Sequence, residues 1–256
     1  MNILRNLSIC CIYLFLYIPI VVLVTFSFNQ ESFPSPWTHF TLKWYRELFQ
    51  ETTLWHAFAN SSIIAVSATT LTLMIGVFLL FYASQGGKIQ RILNLFYGNI
   101  IIPETVLAIS LMSFFTTLSI PLGFTSLVVA HTVLGLGFFV PLIYGRFIDI
   151  DLKLIEASLD LGATPFETFY KITLPLLKTS LISSALLIFV LSFDDFILSY
   201  FCAGSSTQTL SLYILSMLRS GVSPVVNALS TFLLFMSSLL VYFYFSLESR
   251  PKRGLP

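Results

Sequence analysis

Long apolar runs separated by short polar stretches dominate this chain. A helix rising 1.5 Å per residue needs about 20 apolar residues to cross a hydrocarbon layer. Residues 7–28, 57–83, 92–120, 126–147, 176–200 and 228–247 each meet that length. The pattern predicts an all-α polytopic membrane protein of six transmembrane helices, one transmembrane domain over residues 1–256. The first run is longer than a signal-peptide core and no A-x-A-like cleavage site follows it, so it is read as a span. Ser61, Ala65 and Thr69 put small residues at every fourth position of the second run, a face suited to close helix packing.

The polar stretches also carry predictions. All three tryptophans, Trp37, Trp44 and Trp55, fall between residues 29 and 56. There Trp44, Tyr45, Leu48 and Phe49 predict a short helix lying at headgroup depth, where amphipathic rings settle. Residues 203–227 are polar, with an amphipathic segment at 210–218 and a Gly221-Val222-Ser223-Pro224 turn. Gly86-Gly87-Lys88 is no phosphate loop, since Tyr82 and Ile89 stand where that motif needs Gly and Ser or Thr.

The longest polar interruption of the second half spans residues 151–175 and reads as two short helices joined by a tight turn. Asp151 can cap the first, whose Leu152, Ile155 and Leu159 recur at helical spacing, and Gly162 suits the left-handed residue that ends it. Thr164, Pro165 and Glu167 then form a capping box with a proline in the first turn. Phe166, Phe169 and Tyr170 share one face, and Pro175 marks entry into the next apolar run.

Composition agrees with the pattern. Hydrophobic residues make up 56% of the chain and charged residues 10%, against about 25% charged in soluble domains. The net charge of +1 is uninformative; its placement is not. With the amino terminus in the cytoplasm, Arg5, Lys88, Arg91, Arg146, Lys153, Lys171, Lys178, Arg250, Lys252 and Arg253 lie inside and only Lys43, Arg46 and Arg219 outside. That asymmetry puts both termini and residues 151–175 in the cytoplasm. Cys10, Cys11 and Cys202 make no disulfide or metal spacing, and neither a metal site nor a nucleic-acid partner is expected.

Three carboxylates fall within the predicted spans: Glu104, Asp194 and Asp195. Glu104 follows Pro103 some ~18 Å into the third run, near mid-membrane, where proline frees a carbonyl and bends a helix. An acid at the centre of a span costs about 2.5 to 3.5 kcal/mol on insertion scales, so such groups face water, a partner or a ligand. Within these runs the only basic residues are Arg146 and Lys178, each at the cytoplasmic end of its run and far from the acids, so the acids are read as unpaired and suited to a cationic ligand, with one of the two adjacent aspartates lining a path more directly than the other. Phe193, Phe196 and Tyr200 could add ring faces for an ammonium. His131 is expected to bond a neighbouring helix, with no functional role assigned.

The stretch Glu156-Ala157-Ser158, three residues, Gly162, nine residues, Ile172-x-Leu174-Pro175 resembles the EAA motif of bacterial ABC importer permeases, with Ser158 in place of the second alanine. The resemblance implies a type I importer permease (MetI-like), with this stretch as a cytoplasmic coupling helix that docks on an ATPase. Leu42-Lys43-Trp44-Tyr45, the run from Pro103 to Leu111, Leu191-Ser192-Phe193-Asp194-Asp195 and the run from Tyr213 to Ala228 are similar to the PotC-type permeases of spermidine/putrescine importers. That likeness covers nearly the whole chain. Those permeases often carry Asp where this chain has Glu104.

The resemblance implies a bacterial inner-membrane subunit paired with a second, related permease. Two ATP-binding subunits would hold ATP and Mg, leaving no cofactor or bond chemistry to this chain. A periplasmic or surface binding protein would deliver polyamine. Coupling would fall to Glu156, Ala157, Ser158, Gly162, Ile172, Leu174 and Pro175, and the substrate path to Glu104, Asp194, Asp195, Phe193 and Tyr200. A permease for ferric iron or thiamine would keep the same elbow. An ion-coupled secondary transporter would use the acids without an ATPase. A membrane aspartyl protease would need acids that converge, whereas adjacent residues on a helix diverge.

Overall fold

A computed structural model describes residues 2–31, 35–220 and 224–248. The predicted turn at 221–224, apart from Pro224, and the basic residues Arg250, Lys252 and Arg253 lie outside them. Among the described residues the regular elements are all helices, with one isolated bridge between Asn29 and Phe40. In chain order they are α1 (Asn2–Phe26), α2 (Lys43–Gln50), α3 (Thr52–Ser84), α4 (Gln90–Ile101), α5 (Glu104–Thr117), α6 (Phe124–Ile148), α7 (Leu152–Asp160), α8 (Pro165–Thr168), a π turn (Phe169–Thr173), α9 (Leu174–Asp194), α10 (Ile197–Cys202), α11 (Leu210–Ser220) and α12 (Pro224–Glu248).

The chain divides into two compact units. One comprises Met1–Leu54 and Ile214–Pro256, the other Trp55–Tyr213. In the first, α12 packs on both α1 and α2, with the rings of Phe49 and Phe232 meeting edge to face. The loop between α1 and α2 is tied by the buried Asn29, whose Nδ2 donates to the carbonyls of Glu31 and Pro36 and whose Oδ1 accepts from the Thr38 N–H. Trp44 and Tyr45 of α2, the short helix expected here, also hold this loop. Trp44 Nε1 donates to the Asn29 carbonyl at 2.7 Å, and Tyr45 Oη pairs with Ser27 Oγ at 2.8 Å.

The second unit is built around α6, whose most apolar stretch is 72% buried. The small face predicted on α3 is inside, with Ser61, Ala65 and Thr69 all buried, and the neighbouring Ala68 and Thr72 are buried with it. Close approach of the helices rests on glycines of α6. A Cβ on Gly135 would sit 2.7 Å from Thr72 Oγ1 and 3.0 Å from Ile188 Cγ2, so α3 and α9 can reach α6 only at a residue without a side chain. Outward-facing apolar side chains such as Phe15 and Phe78 give these helices the surface expected against hydrocarbon.

The structure redraws three of the predicted runs. The third is broken into two helices at 112° in place of a single bent helix. Ile102 and Pro103 are extended, at ψ 131° and 134°, because proline disfavours the helical conformation in the residue before it. The fifth ends at Asp194, since Asp195 is extended at ψ 128°, and α10 restarts at Ile197. The boundary expected at Pro175 is absent, because Pro165–Asp194 is one continuous helix of 30 residues. Just ahead of that proline the Leu174 N–H donates to the Phe169 carbonyl five residues back. This wide turn shifts the carbonyl register where the proline ring would otherwise clash.

Among the described residues Arg5–Phe26, Thr52–Ser84, Phe124–Ile148 and Pro165–Asp194 are long and apolar enough to cross a membrane, with a fifth if the bent α4–α5 pair counts as one broken span. Within α12, Pro224–Leu239 is a shorter apolar stretch.

Candidate functional site

The elbow at 151–175 is assembled from local bonds. Asp151 Oδ1 caps α7 by accepting from the Lys153 N–H at 3.0 Å. Gly162 then takes φ +87°, a left-handed value, with open space around it, so backbone conformation rather than room requires glycine here. The next helix opens with the predicted capping box. The Glu167 N–H donates to Thr164 Oγ1 at 3.2 Å, and the Thr164 N–H donates to Glu167 Oε2 at 3.0 Å. Lys171 Nζ holds the other carboxylate oxygen at 3.1 Å.

One contact joins the two arms of the elbow. Ser158 Oγ and Thr168 Oγ1 lie 2.9 Å apart and are buried. Read from the sequence, Ser158 is only a small residue in an alanine position; its hydroxyl turns out to be used. On the outer side Glu156, Ala157 and Gly162 are exposed, as are Leu152, Leu159 and Leu161, the last 89% exposed. Exposed leucines on an otherwise polar elbow are a surface suited to a partner protein. Pro175 is exposed, and Ile172 and Leu174 are half-buried.

Inward, the elbow grips the bundle by its aromatic face. The rings of Phe166 and Phe169 meet that of Phe81 on α3 at centroid distances of 5.9 and 5.2 Å. Pro165–Asp194 is unbroken, one rod of about 45 Å that joins the elbow to its far end.

At that far end lies a cavity of about 710 Å³ whose wall includes Asn99, Pro103, Glu104, Leu134, Phe138, Asp194, Asp195 and Phe196. Both helix breaks open onto it. Glu104 is the first residue of α5, half-buried, at a helix end that favours negative charge. Asp194 is exposed at the last residue of α9, and Asp195 follows in the break, buried. The carboxyl groups of Glu104 and Asp195 adjoin. The carboxyl ends of α4 and α9 both reach the same space, adding unpaired carbonyls and the negative ends of two helix dipoles. Among the described residues no lysine or arginine lines it. The arrangement suits a positively charged guest.

The expectation that the acids are unpaired is corrected for Asp195. Its Oδ2 accepts from the Ser199 N–H at 2.9 Å and stands 3.4 Å from His131 Nε2. His131 in turn bonds Ser192 Oγ through Nδ1 at 2.6 Å, as expected of a membrane histidine meeting a neighbouring helix. Phe193 and Tyr200 are absent from the cavity wall. Phe193 packs on Phe58 and Phe189, while Tyr200 leans on Phe196. Phe196, the third ring expected to face an ammonium, does line the wall, beside the break at Asp195. Asn99 and Phe138 were missed because nothing in their local sequence points to a site. Among the described residues no group of acids, histidines and cysteines is arranged to hold a metal ion.

Residues 73–250 match the family described as binding-protein-dependent transport system inner membrane component. The chain is 39% identical over 244 residues to the spermidine/putrescine transport system permease protein PotC of Escherichia coli K12, covering 94% of this chain and 92% of that one. It is 37% identical over 241 residues to the PotC protein of Haemophilus influenzae, covering 93% of each. Its fold is similar to that of the MetNI methionine ABC transporter in an inward-facing conformation, with a TM-score of 0.59 at 21% identity, over 76% of this chain and 94% of that one. The MetI-like permease fold expected from the sequence is therefore the one found.

Proposed function

This chain belongs to the family of binding-protein-dependent transport system inner membrane components, and we propose that it carries polyamines of the spermidine/putrescine class across the membrane as one of two paired permeases of an ATP-driven importer. The observation behind this reading is the cavity at the two helix breaks. Three carboxyl groups and two carbonyl-rich helix ends meet there, with no lysine or arginine on the wall among the described residues. A linear polycation brings several ammonium groups, which can meet these acceptors, and methylene segments, which can lie on Leu134, Phe138 and Phe196. The PotC relatives point to the same class of solute.

Counting the α4–α5 pair and α12 as one span each, the chain crosses the membrane six times, and the placement of its basic residues puts both termini in the cytoplasm. Residues 151–175 then face two ATP-binding subunits, which hold ATP and Mg, and this chain makes and breaks no bonds itself. ATP-driven closure of those subunits pushes the elbow through Glu156, Ala157 and Gly162. The rigid rod ending at Asp194 passes the push to the cavity, which opens alternately to the two sides. A binding protein at the outer face delivers the polyamine.

Uptake of radiolabelled spermidine by cells expressing the complete importer, in a host without polyamine uptake of its own, tests the assignment. Spermidine and putrescine should compete with the label, whereas thiamine and ferric iron should not. Accumulation of thiamine or iron in place of spermidine would overturn it.

A further inference from the structure

His131 occupies the middle of α6, 1% exposed, and faces the break between α9 and α10 from inside the bundle. Its two nitrogens reach opposite sides of that break. Nδ1 is 2.6 Å from the hydroxyl of Ser192, in the last turn of α9, and Nε2 is 3.4 Å from Oδ2 of Asp195, the first residue beyond α9. With the ring proton on Nε2, Ser192 donates to Nδ1 and the ring N–H lies on the side of the carboxylate, an electrostatic contact at 3.4 Å. Nε2 is buried and makes no hydrogen bond, and the Asp195 carboxylate is the charged group beside it.

On its other side the same Asp195 oxygen is held by the Ser199 N–H of α10, and the Asp195 main-chain carbonyl accepts from Ser211 Oγ at 2.7 Å. With Oδ2 committed in this way, the remaining oxygen is left for Glu104 and for whatever occupies the cavity. A histidine that merely filled space in α6 would need its bond to Ser192 and nothing more. Directing its second nitrogen at a cavity acid, in a break with no proline or glycine to hold it open, is a different arrangement.

We propose that His131 is a positioning residue of the transport path: it ties the end of α9 to Asp195 across the α9–α10 break and sets which carboxylate oxygen faces the cation. His131 acts through Asp195 and does not touch the guest. The proposal rests on the cavity being the polyamine path.

The test uses the complete transporter, both permeases with the ATPase subunits, in proteoliposomes supplied with spermidine-loaded binding protein. The readout is spermidine transported per ATP hydrolysed. A fault of folding or assembly removes active complexes and lowers both rates together, leaving the ratio unchanged. His131→Leu should lower the ratio about tenfold, the scale of one hydrogen bond to a charged group. His131→Gln, whose amide nitrogen can take the place of Nε2, should recover most of that loss. His131→Asn, which keeps only the Ser192 side, should not. Asp195→Asn should lower the ratio by itself, and adding His131→Leu to it should cost nothing further.

An unchanged ratio in His131→Leu beside a lowered one in Asp195→Asn would overturn the role of His131 and leave the path intact. Proportional loss of both rates in all three His131 variants would do the same, reducing His131 to packing. An unchanged ratio in Asp195→Asn would instead remove the path reading on which the proposal stands.

Discussion

Ser158 Oγ and Thr168 Oγ1 lie 2.9 Å apart, out of contact with solvent, and between them they close the elbow of residues 151–175. The angle between α7 and the helix that follows is held at three places: this hydroxyl pair, the left-handed Gly162 and the capping box of Thr164 and Glu167. An elbow that transmits force has to be stiff, and these bonds supply the stiffness.

Replacing Ser158 with alanine removes one buried hydrogen bond and leaves the Thr168 hydroxyl without its partner, a loss of about 1–3 kcal/mol to the elbow. Ser158→Ala should therefore lower spermidine uptake a few-fold while the subunit still assembles. Thr168→Ala should do much the same, and the double variant should be no worse than either single one, since both lose the same bond. Additive losses in uptake would show that the pair does not act as a unit.

At Gly162 the requirement is conformational. A side chain at φ +87° costs roughly 1–2 kcal/mol, more if β-branched, although nothing lies within 4 Å of the added Cβ. Gly162→Val should leave the protein in the membrane but lower transport per ATP. Gly162→Asn should be the mildest substitution, since asparagine tolerates this backbone region. Equal losses for valine and asparagine would point to a steric role at a docked ATPase in place of a backbone one.

The cavity acids make separable predictions. Asp194 is exposed and ends α9, so Asp194→Asn removes charge without disturbing a buried network. Glu104→Gln removes charge beside Asp195, and Glu104→Asp keeps the charge while shortening the reach. Uptake of spermidine should fall most in Glu104→Gln and in the Asp194→Asn, Glu104→Gln pair, and less in Glu104→Asp. Uptake unaffected by either neutral variant would argue against electrostatic recognition at this cavity.

What could be read from the chain alone follows from how local each feature is. The caps at Asp151, Gly162 and Thr164 with Glu167 are satisfied within a few residues, so their sequence pattern and their geometry coincide. Pro103 announced a bend, but the 112° turn depends on how α4 and α5 pack elsewhere. The break at Asp195 carries no proline or glycine. It is held by His131, Ser199 and Ser211, two of them distant in sequence, and so it was invisible to periodicity. Tyr200 was placed on the path across that unseen break, whereas Phe193 is drawn off it by packing on Phe58 and Phe189, and Asn99 lines it only through the fold. The π turn before Pro175 likewise hid the continuity of the rod, since a proline ordinarily reads as a helix start.

Gly137 ties the cavity wall to the packing of α6. A Cβ there would lie 2.3 Å from Asn99 Nδ2 and 3.1 Å from Asn99 Cγ, so Asn99 would have to leave the Val133 carbonyl to which it donates at 3.0 Å. Asn99 also lines the cavity, and its displacement alters the wall without altering any charge. Gly137→Ala should destabilise the detergent-solubilised complex by about 1–3 kcal/mol, seen as a lower melting temperature. Asn99→Ala in the same chain removes the clash and should restore much of the stability. Transport should stay low in the double variant, because the amide is then missing from the path. Recovery of melting temperature and transport together would mean that Asn99 serves packing alone.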